Sequence, residues 1–438
     1  MGWNAHGKGG TWEVTTPFPQ PHDPMRATTL LKNILDIKCT RVVTVRFEPN
    51  GLVCEVEPTT KIPRCGSCCC KVRTVYDHRA KPRRWRHLDL GGMMTHLEYK
   101  VRRVDCRRCG VTSELVPWAA HNSWFTEAFE QTVGFLAQSA SKSVVSEMMR
   151  IAWATVGGIA ARLVARFRGD DLLDGLTDIG IDELSYRKHH EYITTVVDHA
   201  RGRVVWARPG KNAATLKAFF DELGVERCRA IRRVTIDMSQ AYISAVREAV
   251  PEARLVFDRF HVQRLAHDAL DAVRRGEVRD IVDPEAKRAL KNSRFALQKN
   301  PWNLNEIETT KLADVQRVNM RPHRAYLLKE SLAAILDRRQ PHVAERKLLE
   351  WVSWASHSGL TPFAKVARTI KAHLDGIVGY VATGLSNART EGMNGKIRTI
   401  TRRSFGFHSA ASLIAMVFLC CSGIILTPAH SLPRFHQT

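Results

Sequence analysis

The order of strand-like and helix-like segments between residues 178 and 257 constrains the fold of this chain most strongly. Three segments rich in β-branched residues follow one another directly, and helical and strand-like segments then alternate. The predicted elements are strands at 179–182, 191–199 and 203–208, a helix at 213–223, a strand at 233–237, a helix at 240–250 and a strand at 253–257. We therefore predict an α/β core in which three consecutive strands precede two strands that are reached through helices.

This order is that of a ribonuclease-H-like fold, in which the first and fourth strands lie side by side. Asp182 and Asp237 end those two strands, so the fold would bring them together although 237 − 182 = 55 positions separate them. Paired carboxylates repel each other unless divalent cations bridge them. Each aspartate alone also fits a turn or a helix cap, and Glu183 and Asp198 are rival acids of the same sheet. Together, Asp182 and Asp237 predict a metal site.

A third acid is predicted far downstream, at Glu391, in a segment compatible with a helix. It shares one helical face with Asn387 and Asn394, and Gly392 and Gly395 are expected to permit close approach of this helix to the sheet. Other glutamates of this half lie among Lys and Arg at the spacing of solvated surface ion pairs. These competing residues are Glu330, Glu345 and Glu350.

Polar residues near these acids are predicted to lie beside the metal or to position DNA. They are Asp258, His261, Asn387 and Asn394. Two Mg²⁺ ions, or Mn²⁺, held by three acids can stabilise both the attacking and the leaving oxygen of an in-line phosphoryl displacement. The acids therefore predict metal-dependent cleavage of phosphodiesters.

The segment from residue 262 to residue 385 has a helical pattern and no strand pattern of its own. Because it separates the last strand from the helix of Glu391, it is predicted to be an all-α insertion into the core. Trp302, Trp351 and Trp354 are interpreted as core residues of this insertion, with stacking on unpaired bases as the alternative.

Two Cys-x-x-Cys knuckles precede the core, Cys65-Gly-Ser-Cys68 and Cys106-Arg-Arg-Cys109. Four thiolates in two knuckles are typical of a structural zinc ribbon. Cys69 or Cys70 could replace Cys68 as a ligand, and buried free cysteines without metal are the alternative to zinc.

The spacer between the knuckles contains alternating segments at 84–88 and 96–101, which are predicted to form the hairpin of the ribbon. Basic residues are dense in and around this region, so it is expected to lie against phosphates. They are Lys71, Arg73, Arg79, Lys81, Arg83, Arg84, Arg102, Arg103, Arg107 and Arg108.

Helical spacing begins after Ser123 and predicts three short helices with a tight break near Ala152-Trp153. This arrangement fits a helix-turn-helix whose recognition helix runs over 154–166, and a purely structural bundle is the alternative. The residues predicted to contact DNA are Arg162 and Arg166 of this helix, Arg102 and Arg103 of the ribbon, and Lys396 and Arg398 near the third acid.

The overall charge also indicates a polyanionic partner. The chain has 438 residues, of which 66 are Lys or Arg and 44 are Asp or Glu, for a net charge of +22. Charge alone would also fit a basic protein of unrelated function. The first 24 residues lack the apolar core of a secretory signal, and the apolar segment 410–426 is too short to span a bilayer. We expect a cytoplasmic protein that does not associate with a membrane.

These segments in combination resemble the DDE transposases of bacterial insertion sequences in the ISL-three family. The resemblance extends from about Cys54 to Gly423 and covers the cysteine knuckles, the helix-turn-helix and four motifs of the core. The motifs are Gly180-Ile-Asp-Glu183, Thr235-Ile-Asp-Met-Ser-Gln-Ala-Tyr242, Phe257-Asp-Arg-Phe-His-Val262 and Leu385-Ser-Asn-Ala-Arg-Thr-Glu-Gly-Met-Asn394. The resemblance implies a triad of Asp182, Asp237 and Glu391, Mg²⁺ as cofactor, and the terminal inverted repeats of a mobile element as substrate.

The predicted protein is a transposase that binds the inverted repeats in double-stranded DNA, cleaves strands and joins them to target DNA as a homo-oligomer in a synaptic complex. The alternatives are a non-catalytic DNA-binding regulator and a nuclease of the same fold. The predicted regions are a flexible segment 1–35, a zinc ribbon 36–120, a helix-turn-helix 121–170, a first core part 171–261, an insertion 262–384, C-terminal core helices 385–427 and a tail 428–438. The segment before Met25 has no counterpart in the family, which favours a translation start at Met25.

Overall fold

The structure is a computed structural model that describes residues 26–35, 37–187, 191–318, 320–385, 388–404 and 406–428. The predictions for Asn387 and for a start at Met25 lie outside these residues. The chain divides into two compact units, one of residues 1–132 and 427–438 and the other of residues 133–426.

The first unit contains one helix and seven strands in the part that is described. They are α1 (Ala27–Leu35), β1 (Thr40–Glu48), β2 (Gly51–Pro58), β3 (Val75–His78), β4 (Arg83–Leu90), β5 (Met93–Tyr99), β6 (Arg102–Cys106) and β7 (Gly110–Ser113). Four strands form one sheet in the order β1-β2-β5-β4, and the other three form a small sheet in the order β3-β6-β7.

The hairpin predicted from the spacer between the knuckles exists, and it is part of the larger sheet. Strands β4 and β5 pair antiparallel, and β5 continues the larger sheet by pairing parallel with β2. Trp85 and Leu97 of the hairpin are buried with Leu52 and Val56 of β2, because their apolar faces need a wider partner surface than a zinc knuckle offers. The second knuckle follows β6 of the small sheet, which ends at Cys106.

Helix α2 (Glu127–Ser139) connects to the second unit, where α3 (Lys142–Met149) and α4 (Trp153–Phe167) follow. The break lies where the sequence predicts it: Arg150 adopts a left-handed conformation, α4 begins at Trp153, and the two helices meet at 102°. That angle is typical of a helix-turn-helix. The buried face of α4 consists of Val156, Ile159, Ala160, Leu163 and Val164.

The second unit is built on a five-stranded sheet in the order β10-β9-β8-β11-β12. Its elements are β8 (Asp178–Arg187), β9 (Glu191–Asp198), β10 (Arg203–Pro209), α5 (Ala213–Leu223), α6 (Val225–Arg229), β11 (Arg233–Ile236), α7 (Gln240–Ala249) and β12 (Arg254–Phe257). Strand β9 is antiparallel to β8 and β10, whereas β8, β11 and β12 are mutually parallel. The predicted order of elements is confirmed.

The segment after β12 is helical wherever it is described, as predicted for the insertion. Its helices are α8 (Arg259–Asp280), α9 (Pro284–Asn292), α10 (Arg294–Gln298), α11 (Glu306–Val318), α12 (Met320–Leu336), α13 (Pro341–Ser356), α14 (Thr361–Ala372) and α15 (Leu374–Thr383). Trp351 is a core residue, and its indole N–H donates to the Leu328 carbonyl. The core interpretation is wrong for Trp302 and Trp354, which are 72% and 41% exposed. Trp302 lies in a 3₁₀ turn between two helices that leaves its ring outside the core.

Two further helices complete the second unit, α16 (Ala388–Arg403) and α17 (Ala410–Cys421). Helix α17 packs against α4 and β10 and buries most of its apolar residues, so the apolar segment near residue 410 is a core helix. No helix in the described ranges is long and apolar enough to cross a bilayer alone; the apolar pair α3 and α4 reaches that length only across its sharp bend.

Candidate active site

Three aspartates lie at one level of three adjacent parallel strands. Thr235 of β11 pairs with Gly180 of β8, and Asp237 and Asp182 each follow two positions later. The last pair between β11 and β12 joins Ile236 to Phe257, and Asp258 is the next residue. Because neighbouring strands are about 5 Å apart, this register puts the three side chains near one another.

Asp182 does not end its strand, contrary to the sequence prediction. Strand β8 continues to Arg187 because its antiparallel pairing with β9 extends past the point where its pairing with β11 stops. The Asp182 carboxylate accepts hydrogen bonds from the Glu183 N–H at 2.7 Å and from the Asn394 amide of α16. Burial raises the pKa of Asp182, and the negative charge of Asp237 adds to this increase.

Asp237 lies just beyond β11, in the turn before α7. One of its carboxylate oxygens accepts the Ser239 N–H at 2.7 Å, which is the turn-forming role that an aspartate commonly has at a strand end. The side chain is partly exposed, so the second oxygen of Asp237 can reach a ligand.

Glu391 lies in the first turn of α16 and is exposed. Burial raises the pKa of Asp258 to about 6, and the charges of Glu391 and Asp182 add to this increase. These acids therefore share one electrostatic environment. In the part of the chain that is described, no three carboxylates bring their oxygens within 4.8 Å of one another.

The close approach between α16 and the sheet depends on a glycine of the strand and not on those of the helix. A Cβ added to Gly180 would lie 2.2 Å from the Thr390 hydroxyl and 2.7 Å from His199 Nε2. Gly392 and Gly395 have open space at the same position, so the prediction that they permit the approach is wrong. They are exposed on the opposite side of the helix from the buried Thr390 and Asn394.

Two oxygens beside the acids have no hydrogen-bond partner. Asp258 is 4% exposed and begins α8, where one oxygen caps the helix by accepting the Phe260 N–H. Its other oxygen, Oδ2, has no hydrogen-bond partner, and Nε2 of His261 lies 4.0 Å away. Asn394 is 3% exposed, and its carbonyl oxygen is also unpartnered.

Glu183 and Tyr242 form a polar cluster that the sequence analysis did not assign to the site. The Tyr242 hydroxyl lies 2.9 Å from Thr194 Oγ1 and also hydrogen-bonds the Glu183 carboxyl. Burial raises the pKa of Glu183. The rival acid beside Asp182 therefore has a partner in the fold. The signal for this cluster is the position of Tyr242 in the first turn of the helix after Asp237.

The four cysteines of the two knuckles form a cluster whose sulfurs all lie within 4.8 Å of one another. Backbone hydrogen bonds shape both knuckles, from the Cys69 N–H to the Cys65 carbonyl and from the Cys109 N–H to the Cys106 carbonyl. The cluster is composed of Cys65, Cys68, Cys106 and Cys109, the four ligands predicted. Soft thiolates at this spacing fit zinc.

Cys69 and Cys70 are outside the cluster, which resolves the ligand register that the sequence left open. Cys69 is exposed and adopts a left-handed conformation with φ of 59°. Without metal, hydrogen bonding to Cys68 raises the pKa of the Cys109 thiol to about 12, whereas the Cys70 N–H lowers the pKa of Cys68.

Most of the arginines and lysines predicted to contact DNA already have contacts within the protein. The Arg102 guanidinium binds Glu114 at 2.6 Å, and that of Arg103 pairs with Asp77. Lys396 donates to the Cys420 carbonyl at 2.6 Å, while Arg398 is exposed on the same helix.

The two arginines predicted on the recognition helix lie on α4. Arg162 is partly exposed, and Arg166 is exposed with its guanidinium 5.2 Å from the Phe167 ring centroid. Contact with DNA stays a prediction for all six residues.

The arrangement defines a class of protein: an α/β core with a row of carboxylates, preceded along the chain by a cysteine cluster that fits zinc and by a helix-turn-helix. Family models match each part. The one described as "Transposase" matches residues 179–417, the zinc finger of the transposases of IS204, IS1001, IS1096 and IS1165 matches 62–109, and the helix-turn-helix domain of transposase family ISL3 matches 114–164.

Curated relatives agree with these matches. The chain is 39% identical to the transposase for insertion sequence element IS1557 of Mycobacterium tuberculosis, over 94% of this chain and all of the relative. It is 30% identical to the transposase for insertion sequence element IS1001 of Bordetella parapertussis, over 81% of this chain and 87% of the relative. The chain belongs to the ISL3 (ISL-three) family of transposases and is a DNA transposase with a zinc ribbon.

Proposed function

We propose that the five-stranded unit is a ribonuclease-H-like catalytic core in which Asp182, Asp237 and Glu391 form the triad of a DDE transposase. The order of strands in the sheet is β10-β9-β8-β11-β12, and β9 runs in the opposite direction to the other four. This topology supports the fold assignment. The observation that carries the proposal is the common level of Asp182 and Asp237 on adjacent parallel strands. Asn394 supports the role of α16, because it joins this helix to Asp182 across 212 positions of the chain.

The residues fit Mg²⁺ or Mn²⁺, because hard divalent cations prefer carboxylate and carbonyl oxygens. Asp182, Asp237 and Glu391 would hold the ions, and Asn394 orients the Asp182 carboxylate through its amide. When bound at such acids, a divalent cation lowers the pKa of water and stabilises a departing oxygen.

The proposed reaction has two displacements at phosphorus. In the first, a water oxygen bonds to the phosphorus at the end of the element, the bond from phosphorus to the 3′ oxygen breaks, and the proton lost by water balances the proton that this oxygen gains. In the second, the oxygen of the new 3′-OH bonds to a phosphorus of target DNA, the bond from that phosphorus to the 3′ oxygen of the target breaks, and the proton lost by the attacking hydroxyl balances the proton that the leaving oxygen gains. One set of acids serves both steps, and no covalent bond to the enzyme forms.

The zinc ribbon and the helix-turn-helix are proposed to bind the terminal inverted repeats. Exposed basic residues beside the knuckles suit contacts to phosphate, which provide affinity, and α4 suits contacts to base edges, which provide sequence choice. The exposed residues beside the knuckles are Lys71, Arg73, Arg107 and Arg108. Two ends must be held together for transposition, so we propose a homo-oligomeric synaptic complex at the bacterial nucleoid, in the cytoplasm.

A strand-transfer assay tests this function with a plasmid that carries the flanking inverted repeats. We expect Mg²⁺-dependent joining that falls by at least about 10³-fold in Asp237→Asn, the order seen when one member of a catalytic set is lost. Asp198→Asn is the matched control, because Asp198 ends a strand of the same sheet but caps a hairpin turn.

Three outcomes separate the alternatives. Cleavage without joining would identify a nuclease, and specific binding of the repeats without cleavage would identify a regulator. Equal loss of joining in Asp198→Asn and Asp237→Asn would contradict the assignment of the triad.

A further inference from the structure

The row of acids at one level of the parallel strands includes a residue outside the proposed triad. Asp258 follows β12 at the level where Asp237 follows β11, so it is the next acid along the edge of the sheet. Helix capping explains only one of its oxygens, Oδ1. The other oxygen is buried, has no hydrogen-bond partner, and lies on a side chain that is 4% exposed.

A buried carboxylate oxygen without a partner is costly, since it has lost its water without gaining a donor. Asn394 has the same deficit at its carbonyl oxygen, while its amide is bound to Asp182. The charges of Asp182 and Glu391 both act on Asp258, so the unpartnered oxygens belong to the neighbourhood of the triad. Two unpartnered oxygens beside three acids are the ligand set of a hard cation, and not of an anion.

We propose that Asp258 is a fourth acid of the metal centre and that its Oδ2, together with the carbonyl oxygen of Asn394, binds a divalent cation. This inference rests on the proposed function and extends it from a triad to a four-acid site. Nε2 of His261 lies 4.0 Å from this oxygen, beyond hydrogen-bond distance, and so leaves it available to a cation.

The test is binding of Mn²⁺ alone to the full-length, zinc-loaded protein, measured by the electron paramagnetic resonance signal of free Mn²⁺. Asp258→Asn keeps the oxygen that caps α8 and removes the charge. We expect its Mn²⁺ dissociation constant to rise by about tenfold or more, the order for disrupted metal sites, and Asp258→Glu to recover part of the loss. Asp283→Asn is the control, because Asp283 caps α9 by the same type of hydrogen bond within the insertion.

The outcomes distinguish this inference from the function on which it rests. If Asp237→Asn weakens Mn²⁺ binding but Asp258→Asn behaves like Asp283→Asn, Asp258 is only a helix cap and the four-acid site is overturned. If neither Asp237→Asn nor Asp258→Asn changes binding, the proposed triad fails as well. A thermal unfolding midpoint of Asp258→Asn at or above that of wild type, measured without Mn²⁺, verifies that the comparison is made on folded protein.

Discussion

The zinc cluster and the acidic centre of Asp182, Asp237, Asp258 and Glu391 both offer potential metal ligands, but they are organised differently. Four sulfurs of the ribbon lie within 4.8 Å of one another, whereas no three carboxylates in the described residues do so. Each zinc ligand has a second ligand three positions away, and short backbone hydrogen bonds fix the pair. The acids come from separate strands and a distant helix, and they repel one another. Local sequence therefore preorganises the zinc cluster, while the acidic centre depends on the whole sheet.

The largest expected effect on the structure is that of losing the zinc ion. Replacing Cys106 and Cys109 together by Ser removes half of the ligands, and structural zinc contributes about 10–16 kcal/mol of apparent binding free energy to small domains. We expect zinc content to fall from about one ion per chain to none, and the β3-β6-β7 sheet to become sensitive to limited proteolysis. A ribbon that resists the protease without zinc would show that the β3-β6-β7 sheet is stable on its own.

The second-largest expected effect concerns the packing of α16, the helix that carries Glu391, against the sheet. Gly180→Ala places a Cβ against Thr390 and His199, and overpacking of this kind costs about 1–3 kcal/mol. We expect a lower unfolding midpoint and weaker strand transfer, with zinc content unchanged.

Gly392→Ala is the matched control for this substitution. Its added methyl group meets open space in α16, so helix propensity should raise stability by up to about 1 kcal/mol. A rise in the unfolding midpoint of Gly180→Ala would mean that α16 does not approach the strand as closely as the contacts of Gly180 indicate.

These two glycines illustrate what sequence can predict about this site. Patterns within short windows of the sequence predict the order of strands and helices along the chain, the helix at 213–223 and the four cysteines of the cluster. The structure contains all of these. The larger-sheet pairing of β4 and β5 and the extension of β8 past Asp182 depend on partners elsewhere in the chain. The approach of Thr390 to Gly180 and the bond from Asn394 to Asp182 join residues about 210 positions apart, which no local pattern reports.

A smaller effect on stability is expected at Asp178 and Asp182, two aspartates of β8 whose surroundings shift their pKa values in opposite directions. Burial raises the pKa of Asp182, whereas hydrogen bonding by Arg233 lowers the pKa of Asp178. A raised carboxyl pKa in the folded state destabilises the protein at pH values above it, and a lowered one stabilises the protein above the unfolded pKa. With chelator present at neutral pH, Asp182→Asn should therefore unfold at a higher temperature than wild type, and Asp178→Asn at a lower one.

The gain in Asp182→Asn should shrink as pH falls through the folded-state pKa of Asp182, because protonation then removes the same charge in the wild type. The stability that Asp178 contributes should likewise decrease as pH falls below the unfolded pKa of an aspartate. Thermal unfolding across pH 3 to 7, a range of about four units around the carboxyl pKa, measures both trends. Destabilisation by Asp182→Asn without metal would contradict the view that the acidic centre is held together against repulsion.

The smallest expected effect tests whether local sequence alone organises the zinc cluster. Cys69 follows the ligand Cys68 but has a positive φ of 59° and an exposed side chain, so its contribution is to the turn and not to the metal. Glycine adopts that conformation without steric cost but loses more chain entropy on folding, and the two effects leave a change below about 1 kcal/mol. We expect Cys69→Gly to keep one zinc ion per chain and wild-type resistance to limited proteolysis, whereas Cys68→Ser loses zinc. Loss of zinc in Cys69→Gly would mean that the ligand register shifts within the run of three cysteines. The backbone hydrogen bond from the Cys69 N–H to the Cys65 carbonyl would then not be enough to fix the knuckle.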